Sequence, residues 1–148
     1  MQIRKIESKD LEACAKILEQ AYSQAPYNEV FQELSALRYI EGKYKNCGDH
    51  SFVAVNDEDA VLGFIFLNIS SWTDGLQAIL EEIVVDTNLQ KTGVGKALMI
   101  YTNDYLQSLG AKSVMLWAKN DPSLIDFYKK NGYFPAEDFV VMFKNFEE

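Results

Sequence analysis

Three groups of residues have types and spacing suited to chemistry: the run Gln90-Lys91-Thr92-Gly93-Val94-Gly95, the adjacent glutamates Glu81 and Glu82, and Tyr128. The run joins two patterns. Before it, Ile79, Leu80, Ile83, Val84 and Val85 form an apolar, β-branched segment of strand length. After it, Val94, Ala97, Leu98, Tyr101, Tyr105 and Leu109 recur at the spacing of a helix with one buried face. A helix start leaves its first backbone N–H groups without partners and carries partial positive charge, so a loop that bares them is a ready anion site. Gly93 and Gly95 have no Cβ to keep a phosphate away. The same glycines read equally as a tight strand-to-helix connection that holds no ligand.

The commoner phosphate loops do not fit. Gly95-Lys96 is followed by Ala97, so there is no G-x-x-x-x-G-K-[ST] run, and there is no G-x-G-x-x-G. What fits is Q/R-x-x-G-x-G/A at the end of a strand, with Val85 five residues before Gln90. That arrangement resembles the acetyl-CoA-binding motif of the GCN5-related N-acetyltransferase (GNAT) superfamily. The resemblance implies that Gln90, Lys91, Thr92, Gly93, Val94, Gly95 and Lys96 hold the pyrophosphate of coenzyme A. It also implies that Ile83, Val84 and Val85, at the splayed end of the preceding strand, hydrogen-bond the pantetheine arm as an added strand would.

The elements that must position this loop follow from the rest of the chain. Gln2–Ile6 reads as a strand, and Ser8 caps a helix carrying Leu11, Cys14, Ala15, Leu18 and Tyr22 on one face, ending near Pro26. Asn28–Tyr44 reads as a second helix and Lys45–Asp49 as a loop. Phe52–Val55 and Val61–Ile69 read as a hairpin, with Gly63 a bulge or close-approach site. Ser70–Gly75 is a turn leading into the strand that ends at Val85. Gly110 closes the central helix, and Ser113–Trp117 is a parallel crossover partner of that strand. Asp121-Pro122 starts a helix that stops at Asn131-Gly132, and Phe139–Phe143 is a final strand.

The resulting order, β-α-α-β-β-β-α-β-α-β, is that of the α/β acyl-CoA N-acyltransferase fold, with a mixed sheet of about six or seven strands flanked by four helices. A second motif, Leu124–Phe134, resembles the family's A-x-x-L/F-Y-x-K-x-G-F signature. Asp121 stands where the family frequently has Asn, and the resemblance assigns it and Tyr128 contacts to the cofactor. No repeat or linker divides residues 1–148, so a single domain is expected.

Acetyl transfer to an amine requires a route for the ammonium proton, a donor polarising the thioester carbonyl, and an acid beside the departing sulfur. The resemblance implies that Tyr128 is that acid; a phenol keeps its proton at neutral pH. The alternative is that it anchors helix packing. The resemblance also implies that the carbonyl donor is a backbone N–H of the splayed strand, at Val85. The resemblance implies that Glu81, four residues before Val85, is the base acting through water, and strand alternation would put Glu82 on the opposite face; one or both glutamates read equally as solvated strand residues. The family's acceptor site draws here on Tyr22, Tyr27, Asn28, Glu29, Ser71, Trp72 and Asp74. Tyr22, Tyr27, Glu29, Trp72 and Glu82 are the expected acceptor contacts, an aromatic and acidic set suited to an amine. Trp72 reads equally as a packing residue.

Composition bounds the partners. At 148 residues, with 48% hydrophobic and 24% charged residues, the chain can bury a core without disulfides. A net charge of −8 argues against nucleic acid and mildly favours a cationic small molecule. No apolar run is long enough for a membrane span and no signal peptide is evident, so a cytoplasmic protein, monomer or homodimer, is expected. Two cysteines and one histidine make neither a disulfide framework nor a metal set, and Cys14 and Cys47 are expected to be free. Two functions remain: an acetyl-CoA-dependent transferase acting on a primary amine of a small molecule or peptide in a ternary complex, or a non-catalytic acyl-CoA-binding or regulatory module on the same fold.

Overall fold

In the computed structural model, which describes residues 1–147, the chain forms two compact units, Met1–Leu116 and a second beginning at Trp117. The first holds a five-stranded mixed sheet in the order β1 (Gln2–Lys5), β2 (Phe52–Val55), β3 (Val61–Trp72), β4 (Gly75–Val85), β5 (Ala111–Met115). The first three pairings are antiparallel and β4–β5 is parallel. Helices α1 (Leu11–Tyr22), α2 (Ser35–Cys47) and α3 (Val94–Ser108) complete this unit. The second carries α4 (Pro122–Lys130).

Both faces of the central strands are covered, which is why Phe52–Val55 and Gly63–Leu67 are buried at every position rather than alternately. On one face Val53, Val55, Phe64, Phe66 and Val84 pack with Cys14, Ile17, Leu18 and Ile40 from α1 and α2. On the other, Phe52 meets Tyr101 and Tyr105 of α3 edge-on, with ring centroids 4.9 Å apart in both pairs. Leu98, Met99, Thr102 and Leu106 are the buried residues of α3 beyond its first turn. The buried stripe is therefore rotated from the expected one, sharing Val94 and Leu98 with it: Tyr101 lies partly in solvent while its ring reaches back over the sheet, and Leu109 falls just past the last residue of α3.

Boundaries moved where backbone geometry overrode apolar spacing. α2 begins at Ser35 and not near Asn28, since Asn28 and Leu34 both adopt positive φ (51° and 63°), which a helix interior cannot contain. It runs on to Cys47, so that thiol is buried at a helix end and not in a loop. The β3–β4 turn is tighter than Ser70–Gly75: β3 continues through Trp72, paired with Gly75, leaving Thr73 and Asp74 to reverse the chain. β5 starts at Ala111 and ends at Met115, so Trp117 lies outside it.

Phe139–Phe143 is not a strand, and among the described residues the sheet has five strands rather than six or seven. Its residues have the propensity but no ladder: Phe139, Val140, Met142 and Phe143 are each at least three-quarters exposed, and apolar β-branched composition forms a strand only where a neighbour supplies hydrogen bonds.

Candidate active site

The strand edge and the glycine loop singled out by the sequence are assembled by β3, β4 and α3. β5 pairs with β4 only from Leu76 to Ile79, and among the described residues no strand pairs with that edge from Leu80 to Val85. The other edge of the same stretch lies against β3, Gly63 facing Val85 and Ile65 facing Ile83, with one register shift between Glu82 and Leu80. Alternate residues along the free edge, within the stretch containing Ile83, Val84 and Val85, thus present N–H and C=O groups to an extended ligand.

The chain then turns through Asp86, whose carboxylate caps the next turn by accepting from Asn88 N at 2.9 Å, and reaches Gln90. Lys91 and Gly93 both take positive φ, 64° and 98°. Gly93 is the residue before α3, and a Cβ there would meet nothing within 4 Å. The space beside it is open to a ligand. The first intrahelical bond, Ala97 N to Gly93 O, spans the opening turn, which frees the N–H groups of Val94, Gly95 and Lys96 for an anion. Gln90, Lys91, Thr92, Gly93 and Lys96 are exposed, and Thr92 Oγ1 is held by Leu89 O. Val94 is buried, anchoring the helix start: its Cγ1 lies 3.3 Å from where a Cβ on Gly63 would sit. The free strand edge, the open glycine and the bare helix start fit an extended arm ending in a diphosphate.

The carboxylates lie at a bulge. The β3–β4 register runs Phe66 opposite Glu82 and Leu67 opposite Leu80, leaving Glu81 as the extra residue. The expectation that Glu82 sits opposite Glu81 fails for this reason: both reach the α1–α2 side. Glu81 Oε2 is 3.1 Å from Lys43 Nζ, and its Oε1 accepts from Asn68 Nδ2 at 3.4 Å. Glu82 accepts from Tyr22 O–H at 2.6 Å and from Tyr39 O–H at 2.8 Å, one phenol on each oxygen. Burial raises the Glu82 pKa against the opposing pull of the two phenols. Burial, then the Glu82 charge, pushes both phenols well above the usual range. Tyr22 also stacks on Tyr27 with centroids 4.3 Å apart, and its carbonyl accepts from Glu29 N at 2.8 Å.

The structure therefore brings Tyr22, Tyr27, Glu81 and Glu82 together, with the Glu29 backbone beside them. Trp72 stands at the far end of β3, 69% exposed. Tyr39, Lys43 and Asn68 were missed. Tyr39 and Lys43 are four apart on α2, with Nζ 5.4 Å from the ring centroid, and that spacing was the available signal.

In the second unit, Asp121 caps α4, its carboxylate accepting from Ser123 N and Leu124 N at 3.1 Å each. Tyr128 meets Phe127 and Tyr133 edge-on at 5.2 and 5.8 Å. Burial pushes the Tyr133 hydroxyl up to about 12. Among the described residues no helix is long and apolar enough to cross a membrane, and no three His, Cys, Asp or Glu side chains are grouped to hold a metal.

Comparison with known proteins gives the fold and the family. The chain is 36% identical over 84 residues to mycothiol acetyltransferase of Renibacterium salmoninarum, a stretch that covers 55% of this chain but only 25% of that protein. Its fold is similar to the crystal structure of a probable acetyltransferase, with a TM-score of 0.79 at 18% identity, covering 100% of this chain and 99% of the other. It is also similar to an aminoglycoside acetyltransferase from an uncultured soil metagenomic sample in complex with sisomicin, with a TM-score of 0.74 at 19% identity, covering 99% and 96%. The model of the Acetyltransferase (GNAT) family matches residues 11–133, and the chain belongs to that family of acetyltransferases.

Proposed function

We propose that this protein transfers the acetyl group of acetyl-CoA to a primary amine of a small molecule or peptide, with both substrates bound together and attack direct. The observation that carries the reading is the free edge of β4 from Leu80 to Val85, the stretch that bears Glu81 and Glu82 and leads into the open turn at Gly93. Acetyl-CoA would supply the activated thioester. The chain's own groups do the rest. Backbone N–H and C=O groups around Ile83, Val84 and Val85 align the extended arm, with Val85 N–H the donor for the carbonyl. Gln90 to Lys96 hold the diphosphate. A carboxylate of the Glu81–Glu82 pair takes the ammonium proton, directly or through water. Tyr128 returns a proton to sulfur, and Asp121, besides capping α4, is the second unit's further cofactor contact; both roles rest on the family signature around Leu124–Phe134.

The acceptor is a cationic amine received by Tyr22, Tyr27, Glu29 and Glu82, with Trp72 at the periphery. Net charge of −8 favours its approach. A single functional domain over residues 1–148, cytoplasmic and monomeric or homodimeric, completes the reading; the family match, residues 11–133, extends to both sides of residue 117. The test is acetyl-CoA-dependent thiol release with panels of polyamines, aminoglycosides, amino sugars and peptides. Release with an amine and mass gain of 42 on it is expected, about 42 being the mass of an acetyl group less its displaced proton. Coenzyme A binding with no release across the panel would overturn the enzymatic reading.

A further inference from the structure

The bulge at Glu81 leaves two adjacent carboxylates on one side of β4 in unlike company. One oxygen of Glu81 faces a full positive charge on Lys43 at 3.1 Å. Glu82 has no such partner among the described ion pairs; each of its oxygens instead receives one phenol, from Tyr22 on α1 and Tyr39 on α2. We infer that Tyr22 and Tyr39 are positioning residues that hold Glu82 as the carboxylate receiving the acceptor's ammonium group, and that Lys43 withdraws Glu81 from that role. This rests on the acetyl-transfer reading and names which carboxylate serves it.

A phenol orients a carboxylate without neutralising it, whereas an ammonium does both. A carboxylate offers about four lone-pair sites, so Glu82 keeps room for further donors after accepting two phenols. Glu81, Glu82 and Lys43 together carry one uncompensated negative charge, which matches a single ammonium. The proton step balances simply: an N–H bond of the ammonium breaks, an O–H bond forms on Glu82, and the nitrogen lone pair is released for attack on the acetyl carbon. The proton then leaves Glu82 to solvent.

The groups facing Glu82 are Tyr22 from α1, Tyr39 and Lys43 from α2, and Glu81 on its own strand. Burial and Glu81 raise its pKa, and the phenols and Lys43 lower it. Both phenols titrate far above neutrality, so they remain donors wherever the enzyme works. Removing one phenol therefore moves Glu82 upward, toward the proton-bound form that cannot accept from an amine.

Tyr39→Phe deletes one oxygen and keeps the ring, and carboxyl-carbon NMR of Glu82 reads the outcome without any need for turnover. The Glu82 midpoint should rise, and the acid limb of the kcat/KM profile should rise with it, with a loss of about tenfold below that limb and little above it, as expected for one hydrogen bond to a charged group. Tyr22→Phe should move both in the same direction. Glu82→Gln should lower kcat more than Glu81→Gln does. An active Tyr39→Phe enzyme whose Glu82 midpoint and acid limb stay in place would overturn the inference, as would a larger loss from Glu81→Gln. Wild-type protein that acetylates no amine would instead overturn the acetyl-transfer reading, with the Glu82 titration still measured.

Discussion

The glycine loop and the carboxylate cluster are built by opposite means. The loop from Gln90 to Lys96 uses consecutive residues and mostly backbone: a glycine at φ 98°, a lysine at φ 64° and a bare helix start. The cluster uses side chains from four elements, joining Glu82 to Tyr22 and Tyr39 across 60 and 43 positions, and Glu81 to Lys43 and Asn68 across 38 and 13. A backbone site tolerates almost any side chain that points away but no change at its glycines. A side-chain site tolerates backbone variation but depends on each hydroxyl and charge.

The largest effect should come from outside both regions. Tyr128→Phe should lower turnover by about 10²- to 10⁴-fold, the usual worth of general acid catalysis, with coenzyme A affinity and Tm near wild type. Lost stability with turnover intact would make the hydroxyl structural. Next comes the loop itself. Gly93→Val forces a β-branched residue into the left-handed region and puts atoms into the open space, and calorimetry should show coenzyme A affinity reduced by roughly 10²-fold. Unchanged affinity in a folded protein would break the comparison by showing that the loop binds nothing closely.

Asp121→Ala removes the acceptor of two N–H groups at the start of α4 and should cost about 1 kcal/mol in denaturant unfolding, while Asp121→Asn should cost little. Glu82→Gln gives the smallest stability change, and its sign is informative. Because the folded-state pKa of Glu82 is raised, its favourable contribution is complete below the unfolded value and is lost as pH rises through the folded value. The variant should therefore gain in Tm over wild type at neutral pH, and the gain should shrink toward zero as acid protonates Glu82. A lower Tm at pH 7 would mean that the phenols outweigh burial.

The same contrast explains what the sequence made legible. The strand–loop–helix order, the caps at Gly110 and Asp121 and the turn into α4 are local, so composition and spacing announce them. The close approach at Gly63 was readable because a glycine inside a strand run needs a reason. Tyr39 and Lys43 were hidden because α2 was read by its apolar residues, and its polar edge acquires meaning only when β4 lies beside it. The bulge at Glu81 was invisible because nothing in the dipeptide Glu81-Glu82 says that one residue will be left without a partner. Phe139–Phe143 shows the converse error, a local signal with no ladder to complete it.

Gly63 lies where β3, the end of β4 and the first turn of α3 meet. A methyl group there would sit 2.9 Å from Val84 O and 3.3 Å from Val94 Cγ1. Exchange of a strand glycine for alanine is a routine route to a stiffer protein, since it restricts the unfolded chain. Here that exchange would wedge β3 away from the last residues of β4 and from the first turn of α3 at once. An engineer seeking thermal robustness would thus widen the seam between the free edge of β4 and the turn at Gly93, and heat tolerance would fall together with the coenzyme A affinity that the proposed function assigns to that seam.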